Sequence, residues 1–131
     1  MKPALLLLAL ASSAALAHHS FAMFDSTKVL TMQGTLYNVE WKNPHGWFWV
    51  KTTRGGKEEI WGFEGAGTGA FIRQGFTKKD FIVGEKVKVD YNALKDGRTG
   101  GKFLRMTFPD GRQVGSLDSA VDRFRKEGYI K

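Results

Sequence analysis

Apolar and polar residues alternate along several short stretches of the chain, and this period of two predicts β-strands. The clearest stretch is Lys86 to Tyr91, in which Lys86, Lys88 and Asp90 are expected to point outward. Turn-forming residues, mainly glycine, separate most of these stretches. The predicted strands are Val29–Trp41, Trp47–Thr53, Glu58–Glu64, Lys86–Tyr91, Phe103–Phe108 and a short Arg112–Val114.

The first predicted strand is long, and its apolar pattern changes side part of the way along. Apolar residues from Leu30 to Leu36 share one parity, whereas those from Tyr37 to Trp41 share the other. Gly34 lies near this change, and a glycine inside a strand is typical of a β-bulge. A long first strand that bends to serve both sides of a small barrel is typical of OB-type folds.

Short helical segments are predicted between the third and fourth strands and at the C-terminus. Thr68 is the expected N-cap of a helix that Gly75 ends, and Thr77 to Asp80 matches a capping box. Near the C-terminus, apolar residues at helical spacing predict a helix over residues 116–127. We therefore predict an all-β fold with short helices: a small, OB-like, five-stranded antiparallel barrel plus a C-terminal helix. A small open β-sandwich is the alternative.

The first 17 residues have the pattern of a secretory signal peptide. A basic start precedes an apolar run from Ala4 to Leu10, and Ala15-Leu16-Ala17 forms a small-x-small cleavage site. The run is well short of the ~20 residues that span a bilayer. We expect cleavage after Ala17, a single domain over residues 18–131, and a periplasmic or secreted protein without a transmembrane segment. An uncleaved anchor helix is the alternative.

Composition narrows the range of functions. The chain of 131 residues carries a net charge of +7 and has no cysteine, which excludes disulfides and thiolate metal sites. The basic residues are scattered among 13 acidic ones, and an exported protein rarely meets nucleic acid, so we expect no nucleic-acid partner. The serines lie in no recognisable hydrolase motif, and we predict no enzymatic activity.

Three of the four tryptophans flank one predicted turn. Asn43, Pro44 and Gly46 occupy positions i, i+1 and i+3 of a type I turn, so we expect a tight hairpin with His45 at its tip. Core packing is expected for at least half of the tryptophans. The others would form an aromatic surface for a small organic or saccharide ligand, or for an envelope protein. The candidate ligand-binding residues are Trp41, Trp47, Trp61 and Glu64.

The three histidines form a second candidate site. Cleavage after Ala17 would leave His18 with both an α-amine and an imidazole, which together can chelate one metal ion. A further imidazole from His19 or His45 would complete a three-nitrogen site, and such ligands favour Cu(II). We therefore predict copper as the candidate cofactor, with His18, His19 and His45 as ligands. The alternative is that all three are ordinary polar residues.

Several motifs resemble those of a family of small exported proteobacterial proteins with a domain of unknown function. They are His18-His19-Ser20-Phe21, Phe24-Asp25, Gly34-Thr35, Trp41-x-Asn43-Pro44-His45, Trp61 with Glu64, and Asp110-Gly111-Arg112. The resemblance covers about His18 to Val114 and implies export and a β-rich single domain, but no reaction. Gly65 to Gly69 departs from the serine-proline helix start of that family, so a shorter helix is expected here.

Overall fold

Six strands and two short helical segments make up the part of the chain that the computed structural model describes, residues 22–118 and residue 128. The strands are β1 (Leu30–Glu40), β2 (Trp47–Arg54), β3 (Lys57–Glu64), β4 (Lys86–Ala93), β5 (Gly100–Thr107) and β6 (Gln113–Gly115). Helix α1 (Thr68–Ile72) and a 3₁₀ helix (Lys78–Asp80) lie between β3 and β4. Within the described residues, no helix has the length and apolar character needed to cross a membrane.

The first five strands close into a barrel. β1 pairs antiparallel with β2 on one side and with β4 on the other, while β2 pairs with β3 and β4 with β5. A parallel pairing of β3 with β5, from Gly62–Gly100 to Glu64–Lys102, closes the ring. The strand order β1–β2–β3–β5–β4 confirms the predicted OB-like barrel. The parallel pairing is the one departure from the expected antiparallel arrangement, so the barrel is mixed.

β1 is the strand that both sides of the barrel share. Its first half pairs with β4 and its second half with β2, and Thr35 pairs with both. The prediction placed a bulge or a sharp coil near Gly34, and the observed bulge lies slightly further along, between Leu36 and Asn38. Gly34 instead allows a close approach of β2, because a Cβ there would lie 2.5 Å from the carbonyl oxygen of Lys51.

Aromatic rings fill the interior of the barrel. Phe48 is only 1% exposed, and its ring centroid lies 4.7–5.4 Å from those of Phe71, Phe81 and Phe103. Phe71 belongs to α1, and Phe81 directly follows the 3₁₀ helix. Trp41 packs against these same two rings at 5.8 Å each. The segment between β3 and β4 therefore contributes Phe71 and Phe81 to the barrel core.

Asp90 differs from its predicted environment. It was expected to face solvent with Lys86 and Lys88, but it is only 4% exposed. Thr31 Oγ1 donates a hydrogen bond to one carboxylate oxygen at 2.6 Å, and Arg105 Nε donates to the other at 2.8 Å. Because Thr31 is on β1 and Arg105 on β5, neighbouring strands cover the carboxylate from both sides.

The predicted capping box at Thr77 to Asp80 is present. Asp80 Oδ2 accepts a hydrogen bond from the Thr77 amide at 2.7 Å, and its Oδ1 accepts one from Arg112 Nη1 at 3.0 Å. The Thr77 amide, followed by Arg112, holds the pKa of Asp80 below its ordinary value. The folded state therefore favours the ionised carboxylate.

We expect Asp80→Asn to destabilise the protein in a pH-dependent way. A carboxylate whose folded pKa is lowered stabilises the fold above its unfolded pKa, near 4, and this contribution is lost as pH falls through the folded pKa. The variant should be less stable than the wild type at pH 6, and the difference should shrink below about pH 4. Urea unfolding at a series of pH values measures this, and a difference that does not vary with pH would contradict it.

The predicted termini lie largely outside the described residues. This applies to the signal peptide over residues 1–17 and to most of the C-terminal helix over residues 116–127. The first three positions of that predicted helix, Ser116 to Asp118, are described and are not helical.

Candidate functional site

A cleft of about 660 Å³ lies beside the barrel. Its walls come from the ends of β3 and β5, from α1, from the residues after β6 and from the N-terminal segment around Phe24. Apolar side chains, including Phe71 and Leu104, line it together with polar ones. The polar side chains include His45, Glu64, Arg73, Gln74, Lys102 and Asp118. The sequence singled out His45 and Glu64, but as members of two different sites, and it did not single out Arg73 or Lys102.

The loop between β1 and β2 places His45 in the wall of this cleft. The β1–β2 pairing confirms the predicted hairpin, but the tight turn expected at its end does not form. The Gly46 amide donates to the carbonyl of Ala66 at 3.0 Å, and the Gly65 amide donates to the carbonyl of Gly46 at 2.8 Å. The Asn43–Pro44 peptide bond is cis. The loop is thus attached to the segment after β3, and His45 lies against the barrel.

Asn43 connects the same loop to helix α1. Its Oδ1 accepts hydrogen bonds from the Thr68 amide at 2.9 Å and from Thr68 Oγ1 at 3.2 Å. The N-cap residue is Gly67, so the prediction of Thr68 as N-cap is wrong by one residue. A Cβ on Gly67 would lie 2.5 Å from Asn43 Oδ1. A side chain that is distant in sequence therefore satisfies the start of α1 and fixes the loop that carries His45.

His45 and Glu64 are neighbours in the cleft. Nδ1 of His45 lies 3.0 Å from the carbonyl oxygen of Gly65 and 3.8 Å from Oε1 of Glu64. The imidazole is 44% exposed and the carboxylate 18% exposed. In the tautomer with the proton on Nδ1, this nitrogen donates to Gly65 and Nε2 keeps its lone pair. A backbone carbonyl that orients one ring nitrogen in this way is typical of histidines that bind metal through the other.

The N-terminal segment meets the same cleft. Phe24, one of its lining residues, is buried and forms a β-bridge with Leu94. The Asp25 amide donates to the carbonyl of Ala93 at 2.8 Å, and the Lys95 amide donates to that of Met23 at 2.9 Å. These contacts dock Phe24 on the barrel.

The other predicted metal ligands, His18 and His19, lie outside the described residues. Among residues 22–118 and 128, no three histidine, aspartate or glutamate side chains are grouped to hold a metal ion. His45 is therefore the one predicted ligand whose surroundings are described.

The four tryptophans divide between the core and the outer surface. Trp61 is buried, and its indole N–H donates to Glu59 at 2.9 Å. Trp41 is half-buried against the core. Trp47 and Trp49 are half-buried on β2, and their rings stack with centroids 5.7 Å apart and planes 18° apart. The predicted ligand-binding residues Trp41, Trp47, Trp61 and Glu64 thus do not form one continuous surface.

Comparison with known protein families gives one match. The model of DUF6152, described as a family of unknown function, matches residues 6–103, which confirms the expectation of an uncharacterised family. No match was found among curated proteins or solved structures. The matched residues include the whole loop that carries His45, and Glu64.

Proposed function

We propose that this protein, which belongs to the DUF6152 family of unknown function, is an exported binding protein that holds one copper ion between its mature N-terminus and His45. The orientation of His45 is the observation that carries the proposal. Its Nδ1 is occupied by the Gly65 carbonyl at 3.0 Å, which leaves Nε2 as a ligand on a side chain that lines the cleft.

The length of the N-terminal segment supports this arrangement. His18 precedes Phe24 by six positions, and a chain of that length spans up to about 20 Å when extended. Phe24 is held at the same cleft as His45. Cleavage after Ala17 would create the α-amine of His18. A chain of this length would then allow that amine and the His18 imidazole to reach the His45 ring.

The donor set suits copper. An amine and two imidazoles are nitrogen ligands, for which Cu(II) has the highest affinity among the first-row divalent ions. Glu64, 3.8 Å from Nδ1 of His45, adds a negative charge beside one ligand and so offsets part of the charge of the ion. Hydrogen bonds to the segment after β3 and to α1 hold the loop, and so would keep His45 in position as a ligand.

We expect the protein that begins at His18 to bind one Cu(II) at least ten times more tightly than a form with one extra N-terminal alanine. The extension keeps every side chain but moves the free amine away from His18. His45→Ala should weaken binding by a similar factor, since loss of a ligand commonly costs tenfold or more. Competition titration against a chelator of known copper affinity measures both effects, and intact mass verifies each N-terminus.

The affinity should also rise with pH between about 5.5 and 8. The amine (pKa ~7.7–8.0) and the imidazole (pKa ~6.5) of His18 must lose their protons before they bind. Trp47→Ala serves as the control, because Trp47 lies two residues after His45 but offers no metal ligand. Equal copper affinity in the processed and extended forms would overturn the proposal.

A further inference from the structure

Trp47 and Trp49 form a stacked aromatic pair on the outside of the barrel, which we call the indole platform. Phe48 and Val50, which alternate with them along β2, are buried in the core, so the two tryptophans point to the opposite side. Their rings are nearly parallel, at 18°, with centroids 5.7 Å apart. Neither tryptophan is a ligand in the proposed copper site.

Contacts with β3 and with a glutamate on β1 hold the Trp49 ring of the indole platform in place. The Trp49 ring lies on the backbone of β3 at Gly62, where a Cβ would come within 2.6 Å of the ring atom Cζ3. The Trp49 indole N–H donates to Oε1 of Glu40 at 3.2 Å. A surface whose side chains are already ordered loses little entropy when a ligand binds.

Carboxylates stand on both sides of the platform. Glu40 on β1 and Glu64 on β3 are the direct cross-strand neighbours of Trp47. Lys42 forms an ion pair with Glu40 at 2.6 Å, and this bond, followed by that from Trp49, lowers the pKa of Glu40. The platform therefore offers an apolar indole face flanked by hydrogen-bond acceptors.

We propose that the indole platform binds a neutral saccharide chain. A sugar ring has a flat C–H face that packs on an indole face, whose quadrupole is negative, and hydroxyls at its edge that donate to carboxylates. Nucleic acid or an anionic lipid would bring phosphates beside Glu40 and Glu64 and would be repelled. A purely apolar partner would remove these carboxylates from water without replacing the hydrogen bonds that water gives them.

The test uses three neutral hexasaccharides as probes: cellohexaose, maltohexaose and chitohexaose. At least one should bind the wild-type protein, as measured by tryptophan fluorescence and by calorimetry. Trp47→Ala should weaken this binding about tenfold or more, as for other aromatic anchors. Trp47 is the suitable position because its removal leaves the contacts of Trp49 with Gly62 and Glu40 in place. Circular dichroism verifies that the variant is folded.

Two controls separate this proposal from the copper proposal. His45→Ala should keep saccharide binding, and Trp47→Ala should keep copper binding. Ile82→Ala, at an exposed apolar residue outside β2 and β3, should bind saccharide as the wild type does. The saccharide proposal is overturned if none of the three probes binds at millimolar concentration, or if Trp47→Ala binds them as tightly as the wild type.

Discussion

Replacing Phe48 with alanine is expected to lower the free energy of unfolding by about 3–5 kcal/mol. The side chain is 1% exposed and lies among three other phenylalanine rings. Its loss removes apolar burial and leaves a cavity that Phe71 and Phe81 cannot fill without moving. Because Phe71 also lines the cleft, the shape of the cleft should change with the loss of packing.

Urea unfolding followed by tryptophan fluorescence measures this effect. Phe48→Leu keeps most of the apolar volume and should cost clearly less than the alanine variant. Ile82→Ala, at an exposed apolar position, should stay within about 0.5 kcal/mol of the wild type. A loss below about 1 kcal/mol for Phe48→Ala would show that its ring is not central to the core.

Replacing Arg105 with alanine is expected to cost about 3 kcal/mol, at the low end for a broken buried ion pair. The Asp90 carboxylate would remain buried, with the Thr31 hydroxyl still donating to it. The Arg105 side chain is itself 30% exposed, which moderates the loss. The cost comes mainly from leaving the Asp90 carboxylate buried without a cation. The lost attraction between the two side chains contributes less.

A double-mutant cycle separates these two contributions. Asp90→Ala together with Arg105→Ala should destabilise less than the sum of the single variants, because no unpaired charge remains. Arg98→Ala is the matched control, since its pair with Asp96 has the same kind of geometry at 2.7 Å but is exposed to solvent. It should cost less than about 1 kcal/mol. Equal costs for Arg105→Ala and Arg98→Ala would contradict the burial argument.

Strand positions could be predicted well where one face of a strand is apolar and the other polar. β4 begins at Lys86 as the alternation indicates. β5 was less predictable, because Gly100 and Gly101 have the composition of a turn but belong to the strand. A Cβ on Gly100 would lie 2.5 Å from the carbonyl oxygen of Gly62, so the glycine allows the parallel approach of β3. The alternation of apolar and polar residues within β5 does not show that the strand pairs with β3.

Two residues of the cleft, His45 and Glu64, could be singled out from the sequence, but their proximity could not. His45 and Glu64 are identifiable from the scarcity of histidine and from the family resemblance. Their proximity depends on backbone hydrogen bonds between Gly46 and the Gly65–Ala66 segment, which no local pattern specifies. The positions of the β2 tryptophans could not be predicted for another reason. Both faces of that strand are apolar, so alternation along the strand does not show which face points into the barrel.

The parallel pairing that closes the barrel would link the binding of any cleft ligand to folding. Its last residue pair, Glu64 with Lys102, also forms part of the cleft wall, so a barrel opened at β3–β5 loses that wall. A ligand of the cleft would then bind only the closed form and stabilise it by mass action, by about 2.7 kcal/mol at 100 times its Kd. Thermal unfolding measured across a panel of metals and small molecules would consequently detect an occupant of the cleft before its chemistry is known.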